Sequence, residues 1–302
     1  MTAEFGRLMT AMVTPMREDG AVDYPRAVDL ARALADSGSE GLVVAGSTGE
    51  GITLTADEKI ELWREVRAAL PPGIAVIAGS SNSSTAESIA LSREAERLGC
   101  DGLLLTVPAY NKPTQEGLVR HFSAIADATS LPGLLYNVPS RTALNMTAET
   151  TLRLAQHPRV VGVKEASGDL AQIGRIIADA PAGFRVWSGN DSDTLAVMAM
   201  GGYGVVSVAA HLVGRQISAL IEACVSGALP RAAALHHQLT PLVDVLFIES
   251  NPIPVKYALA VAGFEAGPPR LPLLPPSDAA AARIRLEVAR QTIDLPVAAR
   301  AG

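Results

Sequence analysis

The sequence predicts an α/β fold, a (β/α)8 TIM barrel with a C-terminal helical extension. Two observations carry that prediction. Eight short apolar, β-branched runs alternate with stretches of helical periodicity, with no gap long enough for an inserted domain. From Leu229 onward the strands stop and only helical stretches follow. Parallel strands need a crossover, and eight such units fit the length of one barrel. The expected division is a barrel over residues 1–226 and a helical unit over 227–302.

The elements follow in order. Arg7–Thr14 reads as the first strand, ending at Pro15, and Tyr24–Ser37 as a helix closed by Gly38. Gly41–Ala45 is the second strand. Thr55–Ala56–Asp57–Glu58 forms a capping box opening a helix to Leu70. The remaining strands are expected at Ile74–Ala78, Gly102–Thr106, Gly133–Tyr136, Val160–Val163, Phe184–Trp187 and Gly204–Val208. Helices are expected at Thr85–Leu98, Thr114–Ala128, Thr147–Gln156, Leu170–Ala178, Asp193–Met200 and Leu212–Val225. The extension reads as helices Pro230–Ile248, Pro254–Ala262 and Asp278–Asp294, the last two separated by a Pro-rich link. Ala298–Gly302 is expected to fray.

Bulk properties exclude several classes. With 48% apolar and 19% charged residues, the chain has the makings of a large core. A net charge of −6 leaves no electrostatic footprint for nucleic acid or anionic membrane. No apolar run reaches the length of a membrane span, and the N-terminus lacks the regions of a signal peptide. A cytoplasmic protein is the expectation. Cys100 and Cys224 read as buried structural thiols. No His, Cys, Asp or Glu set has metal-ligand spacing, and no metal is expected.

Active sites of such barrels lie at the C-terminal strand ends. Strand six ends at Lys164, a cation after an apolar run. A lysine that is neutral part of the time attacks carbonyl carbon, so a Schiff-base role is one reading. A structural lysine paired with Glu165 or Asp169 is the other. Alternation along a strand sets Glu165 on the face opposite Lys164. Around the same rim, strand two delivers Gly46–Ser47–Thr48–Gly49–Glu50, and strand four delivers Tyr110. Strand five delivers Tyr136 and then Arg141, and strand seven delivers Ser188–Gly189–Asn190–Asp191. The Gly-rich loop fails both phosphate-loop and dinucleotide spacings, but its hydroxyls and N–H groups suit a carboxylate. Tyr136 suits proton transfer or a satisfied core position. Arg141 suits a bidentate carboxylate or a solvated surface. His211, after strand eight, reads as a residue lining the site or, more often for such a position, behind it or on the surface.

The motifs Gly46–Ser47–Thr48–Gly49–Glu50, Tyr136–Asn137–Val138–Pro139–Ser140–Arg141, Gly162–Val163–Lys164–Glu165–Ala166 and Asn251–Pro252–Ile253–Pro254–Val255–Lys256 resemble those of the dihydrodipicolinate synthase family. That family belongs to the pyruvate-dependent class I aldolases, which include N-acetylneuraminate lyase. The resemblance implies that Lys164 forms an imine with pyruvate and that Tyr136 moves protons. It implies that Ser47 links Tyr136 to Tyr110 of a neighbouring subunit. Thr48, Val206 and Gly189 would hold pyruvate, and Arg141 the carboxylate of aspartate semialdehyde. A homo-oligomer, a dimer or a dimer of dimers, is implied with it. Another aldolase or keto-acid dehydratase of the superfamily is the alternative, and a non-catalytic binding barrel is a third.

Three departures stand out. Ser47 replaces the usual threonine and keeps the hydroxyl. Ala109 replaces an aromatic that packs across the dimer interface, so a looser contact is expected. Ala56, Lys59 and Ser83 replace two histidines and an asparagine of the L-lysine feedback site, leaving Glu87. Weak or absent inhibition by L-lysine is expected.

Overall fold

The computed structural model describes residues 5–296. Eight parallel strands close into a barrel in sequential order. They are β1 Leu8–Ala11, β2 Gly41–Val44, β3 Ala75–Ala78, β4 Gly102–Thr106, β5 Gly133–Asn137, β6 Val160–Glu165, β7 Arg185–Ser188 and β8 Gly204–Ser207. The helices between them are α1 Tyr24–Asp36, α2 Ala56–Ala69, α3 Thr85–Arg97, α4 Gln115–Asp127, α5 Pro139–Thr142, α6 Ala148–Leu154, α7 Leu170–Asp179 and α8 Thr194–Ala199. Then come α9 Ala210–Val225, α10 Leu229–Leu246, α11 Ile253–Val261 and α12 Asp278–Arg290. No helix among the described residues is long and apolar enough to cross a membrane.

Helix starts follow the capping chemistry. Thr55 accepts from the Glu58 N–H while Glu58 accepts from the Thr55 N–H, completing the expected capping box. Thr114, Thr147 and Asp169 cap α4, α6 and α7 in the simpler one-way manner.

Two apolar layers result. The barrel interior is filled by Met9, Val43, Ile77, Leu104, Leu134, Tyr136, Ala166, Trp187 and Val206. The outward strand faces pack on the helices in a larger cluster. That cluster also takes in Leu239 and Leu242 of α10, Val255 of α11 and Ile284 of α12, so the extension shares its core with the barrel.

Several elements differ from expectation. β1 is shorter than Arg7–Thr14 because the chain leaves the sheet, and Thr14 donates its hydroxyl to the Gly49 carbonyl at 2.6 Å. β6 is longer, carrying Lys164 and Glu165 into the ladder opposite Tyr136 and Asn137. The helix expected from Asp193 opens as a 3-10 turn over Asp191–Asp193 before α8. α12 ends at Arg290 rather than Asp294. Asp294 is used elsewhere: α9 is kinked at Val213, and the Asp294 carboxylate accepts from the freed N–H groups of Arg215 and Gln216. Cys100 is buried, and burial pushes its thiol up to about 12, but Cys224 is only half-buried. The expected fraying of Ala298–Gly302 lies outside the described residues.

Candidate active site

Lys164 and Tyr136 come together first. They face each other across the β5–β6 ladder, and both point into the barrel. Lys164 is 5% exposed, and its Nζ lies 4.2 Å from the centroid of the Tyr136 ring. The ring face is electron-rich and stabilises a cation there. No carboxylate makes an ion pair with Lys164 among the described residues, so its structural pairing with Glu165 or Asp169 is not what the fold adopts.

Glu165 does face the opposite way, as alternation predicts. It is fully buried outside the barrel, where its carboxylate accepts from Asn137 Nδ2 at 3.1 Å and the Ser167 N–H at 2.8 Å. Burial pushes this carboxyl above its ordinary range, opposed by those hydrogen bonds. The network anchors the strand end that carries Lys164.

The strand-seven turn needs its glycine. A Cβ at Gly189 would stand 2.6 Å from the Ala166 Cβ and 3.1 Å from the Glu165 carbonyl oxygen. Its N–H donates to that carbonyl at 2.7 Å, clamping β6 to β7 just past Lys164. Val206, on β8, lies in the interior cluster with Tyr136 and Trp187.

The Gly-rich loop folds back tightly after β2. A Cβ at Gly51 would meet the Ala45 carbonyl oxygen at 2.1 Å, so only glycine closes this turn. Thr48 is buried, and its Oγ1 accepts from Asn251 Nδ2 at 2.9 Å. Glu50, two residues on, makes a buried ion pair with Lys256 of α11 at 2.6 Å. Ser47 is half-buried and makes no side-chain hydrogen bond to Tyr136 among the described residues.

Arg141 sits on α5, a single turn with Pro139 at its first position and left-handed Ala143 at its end. Its side chain is exposed at the rim, and Nη2 donates to the Asn251 carbonyl at 2.9 Å. A guanidinium carries five N–H donors, so this anchor leaves donors for a carboxylate. Tyr110 stands apart from the buried Lys164–Tyr136 pair. It is 96% exposed and held at φ 71°, a backbone conformation uncommon for a tyrosine. A groove of about 960 Å³ leads away from the rim past Ser47, Arg141, Lys59, Ser83, Glu87 and Ala109.

Two residues beside the site were given no role by the sequence. Asp191 is buried behind β8, accepting from the Ser207 hydroxyl and from the Val208 and Ala209 N–H groups at 2.9 and 3.1 Å. Burial pushes its carboxyl up, and the Lys164 charge is among the influences that hold it down. Asn251 is the other, known in sequence only as part of a tail motif. His211, expected behind the site or on the surface, is fully buried. It accepts from the Val13 N–H at Nε2, and its Nδ1 bonds the Val208 carbonyl, tying the segment after β1 to the start of α9.

Residues 4–290 match the model of the dihydrodipicolinate synthetase family. The chain is 54% identical over 294 residues to the 4-hydroxy-tetrahydrodipicolinate synthase of Dehalococcoides mccartyi, covering 97% of this chain and 99% of that one. It is 58% identical over 271 residues to the enzyme of that name from Moorella thermoacetica, covering 90% and 93%. Among solved structures, the dihydrodipicolinate synthase of Cyanidioschyzon merolae with lysine bound superposes with a TM-score of 0.93. It is 44% identical and the match covers 94% of this chain and 97% of that one. Similarity of that depth, over a barrel whose rim carries the lysine and tyrosine in contact, makes this chain a member of the dihydrodipicolinate synthetase family.

Proposed function

We propose that the chain condenses pyruvate with L-aspartate 4-semialdehyde to give 4-hydroxy-tetrahydrodipicolinate, through a Schiff base on Lys164. The observation that carries this reading is the inward pair of Lys164 and Tyr136 on adjacent strands, 4.2 Å from nitrogen to ring centroid.

The Lys164 amine attacks the keto carbon of pyruvate, and the carbinolamine loses water to give an iminium. Tyr136 supplies and removes the protons of these steps. Loss of a methyl proton gives the enamine, whose carbon attacks the aldehyde carbon of the second substrate. That substrate's amino group then adds to the imine carbon, and Lys164 leaves as the free amine. Thr48, Gly189 and Val206 bound the pyruvate position. Arg141 takes the carboxylate of the aldehyde partner, which favours it over a polyhydroxylated sugar partner. The exposed Tyr110 supports a homo-oligomer in which Tyr110 of a second copy reaches Ser47 and completes the proton path to Tyr136. The biosynthetic reaction, using soluble substrates, suits a cytoplasmic location, with a catalytic unit over 1–226 and a supporting unit over 227–302.

Borohydride reduction in the presence of pyruvate should fix a reduced pyruvyl adduct on the peptide containing Lys164, with none in Lys164→Ala. Absence of an adduct in the wild-type protein overturns the reading. Turnover with aspartate semialdehyde, compared against other aldehydes, tests the second substrate.

A further inference from the structure

The tail motif Asn251–Pro252–Ile253–Pro254–Val255–Lys256 takes no part in the chemistry above, yet it touches the rim at three points. Asn251 Nδ2 donates to Thr48 Oγ1 at 2.9 Å, and the Asn251 carbonyl accepts from Arg141 Nη2 at 2.9 Å. Lys256 Nζ binds Glu50 at 2.6 Å and the Pro268 carbonyl at 3.0 Å. Asn251 is 7% exposed, and its Oδ1 has no hydrogen-bond partner among the described residues. Thr48 therefore fixes the Asn251 amide from one side, while the Asn251 carbonyl fixes Arg141.

A threonine hydroxyl has one proton to give and two lone pairs. The Asn251 amide occupies a lone pair of Thr48 Oγ1, so this contact does not use the hydroxyl proton. Thr48 Oγ1 donates no hydrogen bond among the described residues. It remains available to an anionic ligand at the rim.

We infer that Asn251 is a positioning residue that sets the polarity of the Thr48 hydroxyl toward the keto-acid carboxylate and, through its carbonyl, aims Arg141 at the second carboxylate. One residue of the helical extension thereby aligns the donors for both substrates. The inference rests on the proposed roles of Thr48 and Arg141.

The side-chain and backbone contacts separate experimentally. Asn251→Asp keeps the shape and the carbonyl but replaces the donor with an acceptor, which claims the Thr48 proton and adds charge. The Michaelis constant for pyruvate should rise by about 10- to 100-fold, the worth of one hydrogen bond to a charged group. The constant for aspartate semialdehyde should change far less, since the carbonyl holding Arg141 survives. In a Thr48→Val background the same substitution should add little to the pyruvate constant. Where Asn251→Asp does not fold, Asn251→Ala is compared with Thr48→Val/Asn251→Ala in the same cycle. A pyruvate constant within about twofold of wild type, or independent effects in the cycle, overturns the inference. Borohydride trapping of pyruvate on the wild-type protein is run alongside: failure there strikes the proposed function, whereas trapping with an unchanged pyruvate constant in the variant strikes the role of Asn251 alone.

Discussion

Lys256→Met is the sharpest probe of how the extension supports the rim. In the wild-type protein the Lys256 and Glu50 side chains are each 1% exposed and lie 2.6 Å apart. Burial pulls the lysine below its ordinary range, and Glu50 pulls it back up. Removing the cation leaves the Glu50 carboxylate buried with one donor among the described residues, the Arg270 N–H at 2.7 Å. Breaking one side of a buried pair costs about 3–5 kcal/mol, most of it the stranded charge. Unfolding entropy of about 2.1 cal/mol/K per residue, taken over 302 residues, gives roughly 0.63 kcal/mol/K. The melting temperature should therefore fall by about 5–8 °C at pH 7. Lys256→Met/Glu50→Gln removes the stranded charge and keeps an acceptor for Arg270, so it should recover much of that loss. Scanning calorimetry of both variants decides the matter. A single variant within about 2 °C of wild type, or a double variant no more stable than the single, would refute the account of a buried pair whose charges need each other.

Two further outcomes are expected. Millimolar L-lysine should leave turnover essentially unchanged, because the groove beside the rim presents the buried Lys59 where Ala56 and Ser83 offer no carboxylate to a cationic ligand. Glu87 there is already hydrogen-bonded to Asn82 at 2.7 Å, and strong inhibition by L-lysine would contradict this. Acid stability should depend on His211, whose pKa burial lowers from 6.5 to about 4. The folded value lies below the unfolded one, so this contribution is complete above about pH 6.5 and is lost as pH falls toward 4, amounting to about 3 kcal/mol in full. Urea unfolding at pH 7 and pH 5 should show a smaller acid loss in His211→Gln than in wild type; equal losses would rule His211 out as the source.

The barrel and much of its rim were legible in the sequence because they are written locally. Strand ends follow from apolar runs meeting polar turns, and parallel order places every such end at one pole. Lys164, Tyr136, Thr48 and Arg141 were found that way. What escaped is written in pairs far apart. Nothing near Thr48 announces Asn251, and nothing near Glu50 announces Lys256 or Arg270. The α5 turn is four residues long, too short for helical periodicity to register. Lys164 was expected just beyond the strand, but ladder pairing to Tyr136 and Trp187 keeps it within. The expected bridge from Ser47 to Tyr136 is absent among the described residues, and Tyr110 is exposed.

The links from Asn251 to Thr48 and from Lys256 to Glu50 span 203 and 206 residues of chain. Their length has a meaning in time. A ribosome adding about 5–20 residues per second needs roughly 10–40 s to travel from Glu50 to Lys256. Through that interval the Gly-rich loop exists with its acidic side chain hydrated and its threonine uncommitted. The strands of the barrel are complete at Ser207, some tens of residues before the tail motif leaves the ribosome. The contacts that brace the Gly-rich loop from the tail are therefore acquired last. A nascent or truncated chain is a barrel whose Gly-rich loop lacks its two long-range braces.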